Sequence, residues 1–154
     1  MEFHIMNPPQ KALKNEHEVV NMKLGDIIED LKDGTMDLDL LDEVEGSLKN
    51  HIYIEEISIF PKILKNSNLH LEISGMETEH AALWRLFMLI RNQMAKKDYS
   101  RIPKHFEEIR LILLEHNRRE EILIYPLVED DMIKDLTRPE DWVCNKIRKY
   151  PNQK

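Results

Sequence analysis

At 154 residues, with 42% apolar and 33% charged side chains and only four glycines, the chain can bury one core and favours helix over sheet. A net charge of -7 argues against nucleic acid, whose phosphates need a basic face, and no apolar run approaches the roughly 18 residues that span a bilayer. The single cysteine, Cys144, rules out an internal disulfide framework, and the first residues lack a basic-then-apolar leader; a cytoplasmic location is the expectation.

Pro8-Pro9 closes an N-terminal arm, because two prolines do not sit inside a helix, and His4 in that arm reads as a surface residue or an extra contact at the bundle end. The first helix is predicted over about residues 10–32. Leu13, Val20, Leu24, Ile27 and Leu31 step by threes and fours, His17 fills the gap in that stripe, and Asp33-Gly34-Thr35 ends it. A second helix over about 37–60 runs its core stripe through Leu41, Val44, Leu48, His51 and Glu55, and Pro61 ends or kinks it. The third, over about 72–96, has the seam Ile73, Met76, His80, Leu83, Phe87, Ile90, Met94. Ser100 is the expected N-cap of the fourth, with Pro103 in the first turn. Its seam reads Ile102, Phe106, Ile109, Leu113, His116, Glu120, Leu123, Leu127.

Beyond Pro126, residues 129–136 suggest a helical turn or two. Arg138-Pro139 breaks them, and a short helix over 142–150 docks through Trp142, Val143 and Ile147. The expected architecture is one domain over 1–154. It is all-α, an antiparallel up-down-up-down four-helix bundle over about 10–128 with a C-terminal extension over about 129–154.

One stretch occurs twice. His51–Pro61 reads His-Ile-Tyr-Ile-Glu-Glu-Ile-Ser-Ile-Phe-Pro, and His116–Pro126 reads His-Asn-Arg-Arg-Glu-Glu-Ile-Leu-Ile-Tyr-Pro. Residues i and i+4 share a helix face, so each copy aims an imidazole and a carboxylate the same way. Each copy also follows a Glu-His pair: His17 precedes His51 by 34 residues and His80 precedes His116 by 36.

A single histidine on an apolar stripe is usually a hydrogen-bonded core residue. Six inward polar residues, two of them carboxylates with no Lys or Arg on the seams, are harder to satisfy, since a buried unpaired carboxylate costs several kcal/mol. A wholly hydrogen-bonded His–Glu network needs good geometry throughout. A metal centre accounts for His17, His51, Glu55, His80, His116 and Glu120 together. They are too many for one tetrahedral zinc but suit two ions bridged by two carboxylates, with two histidines on each. The lack of thiolates argues against structural zinc, Cu(I) and iron–sulfur sites.

These repeated segments, each with an upstream seam histidine, resemble the hemerythrin-like (HHE cation-binding) family over about residues 10–128. The resemblance implies two iron ions bridged by Glu55, Glu120 and an oxo or hydroxo group, with His17, His51, His80 and His116 as terminal ligands; manganese or zinc would suit the same donors. Oxygen-carrying hemerythrins have a further histidine one turn after the helix-3 ligand, and an Asp one residue later in helix 4. Here Trp84 takes the first place and the carboxylate is Glu120. That set is closer to bacterial proteins implicated in repairing iron centres after nitric oxide or oxidative damage. With more coordination positions open, it implies O2, NO or peroxide as the small partner. A reversible O2 carrier, sensor or iron store is the alternative, and a metal-free helical interaction protein the third reading.

Other residues carry plainer expectations. His70 reads as a loop residue, and His105 lies about 16 Å along the helix from His116, too far to join it. Glu56, Glu79, Glu115 and Glu121 adjoin the six and read as solvated or interfacial, any of them able to orient an imidazole. Tyr53 and Tyr125 read as boundary packing, Trp84, Phe87 and Met88 as core, and Cys144 as remote in sequence from the six.

Overall fold

The computed structural model describes residues 6–133 and 136–149, and His4 lies outside them. Helix α1 (Pro8–Lys32) starts at a capping box: Asn7 accepts from the Gln10 N–H at 3.0 Å and Gln10 returns the bond to the Asn7 N–H at 3.2 Å. Pro8 and Pro9 therefore open the helix instead of closing an arm, since first-turn N–H groups have no intrahelical partner to lose. Asn7 and Gln10 each donate to the Val128 carbonyl at 3.0 Å, fastening the start of α1 to the end of the second motif.

Helix α2 (Leu38–Ile54), capped by Asp37, runs into a π-helical turn at Glu55–Ile59 and then α3 (Phe60–Leu64). After α4 (His70–Ala95), α5 (Ile102–Arg119) meets the same fate: a π turn at Glu120–Ile124, then a 3-10 turn at Tyr125–Leu127. A short α6 (Asn145–Lys149) follows, and no strand occurs among the described residues. Pro61 thus does not end its helix. It has no N–H for the carbonyl four residues back, and the wider turn absorbs that gap: the N–H groups of Phe60 and Tyr125 reach back five residues, to the carbonyls of Glu55 and Glu120.

Each π turn inserts an extra residue and rephases the helix face behind it. Leu123 and Leu127, expected on the seam, are 37% and 44% exposed, while Ile124, Tyr125 and Val128 lie buried. Smaller corrections follow from local geometry. His70 opens α4, still exposed; Ser100 donates to Asp98 instead of capping α5, which starts after Arg101; and Met88 faces out. Residues 129–136 hold a 3-10 turn at Asp130–Met132, with 134 and 135 outside the described residues, as is Tyr150 at the end of the predicted last helix.

α1 packs on α2 and α5, α4 on α5 and α2, and α6 on α4. The core is split in two. One cluster gathers Leu24, Leu41, Val44, Leu83, Phe87 and Phe106, and the other Leu13, Ile59, Phe60, Met76, Ile124 and Val128. Between them each long helix contributes polar residues: α1 and α4 pass from the second cluster to the first, α2 and α5 the other way. Trp142 closes the first cluster from outside, edge-on to Tyr53 at 5.0 Å and Trp84 at 5.7 Å. Cys144 beneath it is fully buried, and burial pushes its thiol up to about 12, so it stays a protonated packing residue.

Candidate metal centre

His17, His51, Glu55, His80, His116 and Glu120 meet in the layer between the two apolar clusters, none more than 5% exposed. They form two overlapping groups, His17, His51, Glu55, Glu120 and Glu55, His80, His116, Glu120, whose ligand atoms lie within 4.8 Å of one another. Glu55 and Glu120 belong to both. Around the layer, Glu55 is 3.1 Å from Nε2 of His51 through one oxygen and 3.1 Å from Nε2 of His80 through the other. Glu120 Oε1 is 3.2 Å from Nε2 of His17 and 3.1 Å from Nε2 of His116.

The outer ring nitrogens decide which way the imidazoles present their lone pairs. Nδ1 of His51 donates to Glu16 at 2.5 Å and Nδ1 of His116 to Glu79 at 3.2 Å. Nδ1 of His80 donates to Glu56 at 2.7 Å and Nδ1 of His17 to Glu121 at 3.2 Å. A carboxylate only accepts, so the proton of each neutral imidazole sits on Nδ1 and the Nε2 lone pair points inward. The repeat is complete: each Glu of a Glu-His pair supports the later histidine of its own half, and the second Glu of each Glu-Glu supports a histidine of the other half.

Lone pairs converging in this way repel unless a cation lies among them. Nε2 of His17 and Nε2 of His51 are only 3.2 Å apart. Nε2 of His80, Oε1 of Glu55 and Oε2 of Glu120 are buried without a hydrogen-bond partner; the 3.1 Å approach of the first two lacks hydrogen-bond angles, as expected of two donors aimed at a third point. Protons are the substitute cation. Burial would lower the His116 pKa, but the Glu120 charge and bonds to Glu120 and Glu79 raise it to about 10. Burial is likewise outweighed at His51, held well above its usual value chiefly by Glu55 and Glu16, and at His80, raised by Glu55 and Glu56. For Glu55 the burial penalty yields to the His51 charge, and its carboxyl stays well below the usual range. Buried imidazole and carboxylate donors, with orphaned atoms aimed inward, can hold a metal ion.

Tyr125 overturns the boundary-packing expectation. Its hydroxyl stands inside the layer, 2.7 Å from Nε2 of His17, 2.8 Å from Nε2 of His51, 3.1 Å from Oε2 of Glu55 and 3.5 Å from Oε1 of Glu120. Burial, then the negative charges of Glu120 and Glu55, drives its pKa well above the usual tyrosine value in the metal-free layer. The signal in the sequence is the aromatic-Pro ending shared by both motifs, of which Pro61 is expected to end or kink its helix. The matching residue of the other half, Phe60, stacks on His80 with ring centres 5.8 Å apart, much as Tyr125 stacks on His17 at 5.2 Å.

Of the neighbouring carboxylates, Glu56, Glu79 and Glu121 orient imidazoles, whereas Glu115 pairs outward with Arg118. Glu16, read only as half of a Glu-His pair, does the same for His51 although half its side chain is exposed. Glu56 is fixed further by the Asn145 backbone N–H at 2.7 Å, Glu79 by Arg119, and Glu121 only by Lys14 at 3.9 Å. A groove of about 410 Å³ between α1 and α2, lined by Asn15, Glu16, Asn50, His51 and Ile54 among others, brings solvent to the edge of His51. His105 is buried away from both groups, its nearest carboxylate Glu108 at 4.0 Å.

Set against protein-family models, curated proteins and solved structures, the chain matches none.

Proposed function

We propose that the chain is a hemerythrin-like four-helix bundle whose polar layer holds two iron ions and binds or reacts with O2, NO or peroxide, in defence against oxidative or nitrosative stress or in repair of iron centres. The observation that carries this reading is the set of four Nε2 lone pairs, fixed inward by four carboxylates, around two shared glutamates with orphaned oxygens. The alternating passage of the four long helices between the two apolar clusters supports the up-down-up-down arrangement.

Iron bound there would supply open coordination positions and reversible one-electron chemistry to a small ligand. The chain's own contribution is separable. Glu55 and Glu120 supply two negative charges that both groups share, which would offset the repulsion between two cations held there. Glu16, Glu56, Glu79 and Glu121 lock the tautomers and raise the basicity of the imidazoles. The apolar clusters above and below exclude bulk water, and the groove at His51 gives a small molecule its approach.

Protein purified from iron-supplied cells is expected to contain about two irons per chain. A folded, metal-free chain that takes up no iron would end the proposal. Spectra of the reduced protein then separate the activities: a stable change on adding O2 that reverses on its removal marks carriage, whereas oxidation with turnover of NO or peroxide marks chemistry.

A further inference from the structure

We propose that Tyr125 is a fifth protein ligand of the ion held by His17, His51, Glu55 and Glu120, through its phenolate oxygen, so that the two metal positions are chemically unequal. The inference rests on the dinuclear reading above and deepens it.

Its geometry is that of a coordination shell. Donor atoms about 2.1 Å from an ion and at right angles to each other lie about 3 Å apart. The Tyr125 oxygen stands 2.7, 2.8, 3.1 and 3.5 Å from one donor atom of each member of that group. With the imidazoles neutral, as ligation requires, every one of these contacts is to an atom that presents a lone pair, and a phenol has a single proton to offer. One proton cannot serve two imidazole nitrogens and two carboxylates, whereas an ion in their midst serves all of them and the phenolate as well.

The chain contains its own control. Phe60 holds the equivalent place after the other π turn and stacks on His80 with an interplanar angle of 8°, so packing at this position asks for a ring and not for a hydroxyl. The oxygen is an addition at one position only, and the π turn at Glu120–Ile124 carries it inward.

On loading, the Tyr125 O–H bond breaks, its proton goes to solvent, and an oxygen lone pair forms the bond to the ion; no electron is transferred. A hard anionic oxygen favours the more highly charged state of a redox-active ion, so the His17/His51 position would hold its ferric ion more firmly than the His80/His116 position.

Ferric iron is the probe. The wild-type chain is expected to bind about two ions and show a visible phenolate-to-iron charge-transfer band, with resonance Raman lines that shift when the tyrosines are ring-deuterated. Tyr125→Phe should keep its helical circular dichroism and lose band and lines together, while Tyr53→Phe keeps them. Two ions with no tyrosinate lines in the wild type, or lines that survive in Tyr125→Phe, would overturn the assignment and leave the dinuclear reading standing. A wild-type chain that binds no iron overturns both. Should Tyr125→Phe fail to fold, the deuterium shift in the wild type, compared with Tyr53→Phe, Tyr99→Phe and Tyr150→Phe, still decides whether a tyrosinate is bound and, by elimination among the four tyrosines, whether Tyr125 supplies it.

Discussion

The two halves of the site share a motif and differ in their surroundings. Around His80 and His116 the support is enclosed: Glu56 is buried and bonded to the Asn145 backbone, Glu79 is gripped by Arg119, and Phe60 lies flat on His80. Around His17 and His51 it is open: half the Glu16 side chain is exposed, Glu121 has only a distant Lys14, a groove reaches His51, and a phenol occupies the centre. An internal repeat therefore yields matched donors without matched positions. What distinguishes them comes partly from within the motif, where Phe60 stands opposite Tyr125, and partly from outside it, from the start of α6 on one side and the α1–α2 groove on the other.

The sharpest break of this comparison removes what the halves share. If the layer holds two ions as proposed, Glu55→Ala or Glu120→Ala is expected to lose at least one of them and to lower the thermal midpoint of the loaded protein, by metal analysis and calorimetry, because binding is coupled to folding. Retention of two ions by either variant would refute the bridging role.

Supporting carboxylates should respond unequally. Glu56→Gln is expected to weaken binding at the enclosed position by about 10–100-fold, the usual scale for such partners, whereas Glu121→Gln should cost less because water can reach its partly exposed side chain. Equal losses in metal titrations would erase the distinction between the halves.

pH probes the metal-free layer. His116 goes from 6.5 to about 10 on folding, so its contribution is complete below 6.5 and disappears as pH rises through about 10. His51 and His80 are raised too and act in the same direction, while the depressed Glu55 adds stability above 4.5 that is lost on acidification. Denaturation with chelator present should therefore show stability falling from pH 6.5 towards 10, whereas metal affinity rises over the same range as protons leave Nε2. A flat metal-free profile would contradict the protonated layer.

The mildest change makes the halves alike. Phe60→Tyr should fold with little loss of stability and, if its hydroxyl enters as that of Tyr125 does, strengthen the tyrosinate signal of the ferric protein without altering its metal count.

The six site residues were legible because each breaks an apolar stripe of known period, and a broken stripe is visible without coordinates. Tyr125 was not, because the stripe was extended past Glu120 at the α-helical spacing, which selects Leu123 and Leu127; the π turn shifts the phase and turns both outward. The missing N–H of Pro61 suggested a helix that ends or kinks there, and the π turn before it lets the helix continue. Pro8 and Pro9 were misplaced for want of one piece of local chemistry, the Asn7–Gln10 capping box that makes prolines welcome in the first turn. Glu56, Glu79 and Glu121 could be named only as neighbours, since which imidazole a carboxylate reaches depends on the packing of different helices.

The polar layer that divides the core has a consequence for the life of the protein in a cell. Among the described residues the two apolar clusters face each other across those ionisable groups, so the packing between them depends on what fills the gap. An ion that binds only the folded form adds stability in proportion to the logarithm of its free concentration. The amount of folded chain that escapes proteolysis would then follow the supply of that ion, and the fold itself would act as a gauge of metal availability.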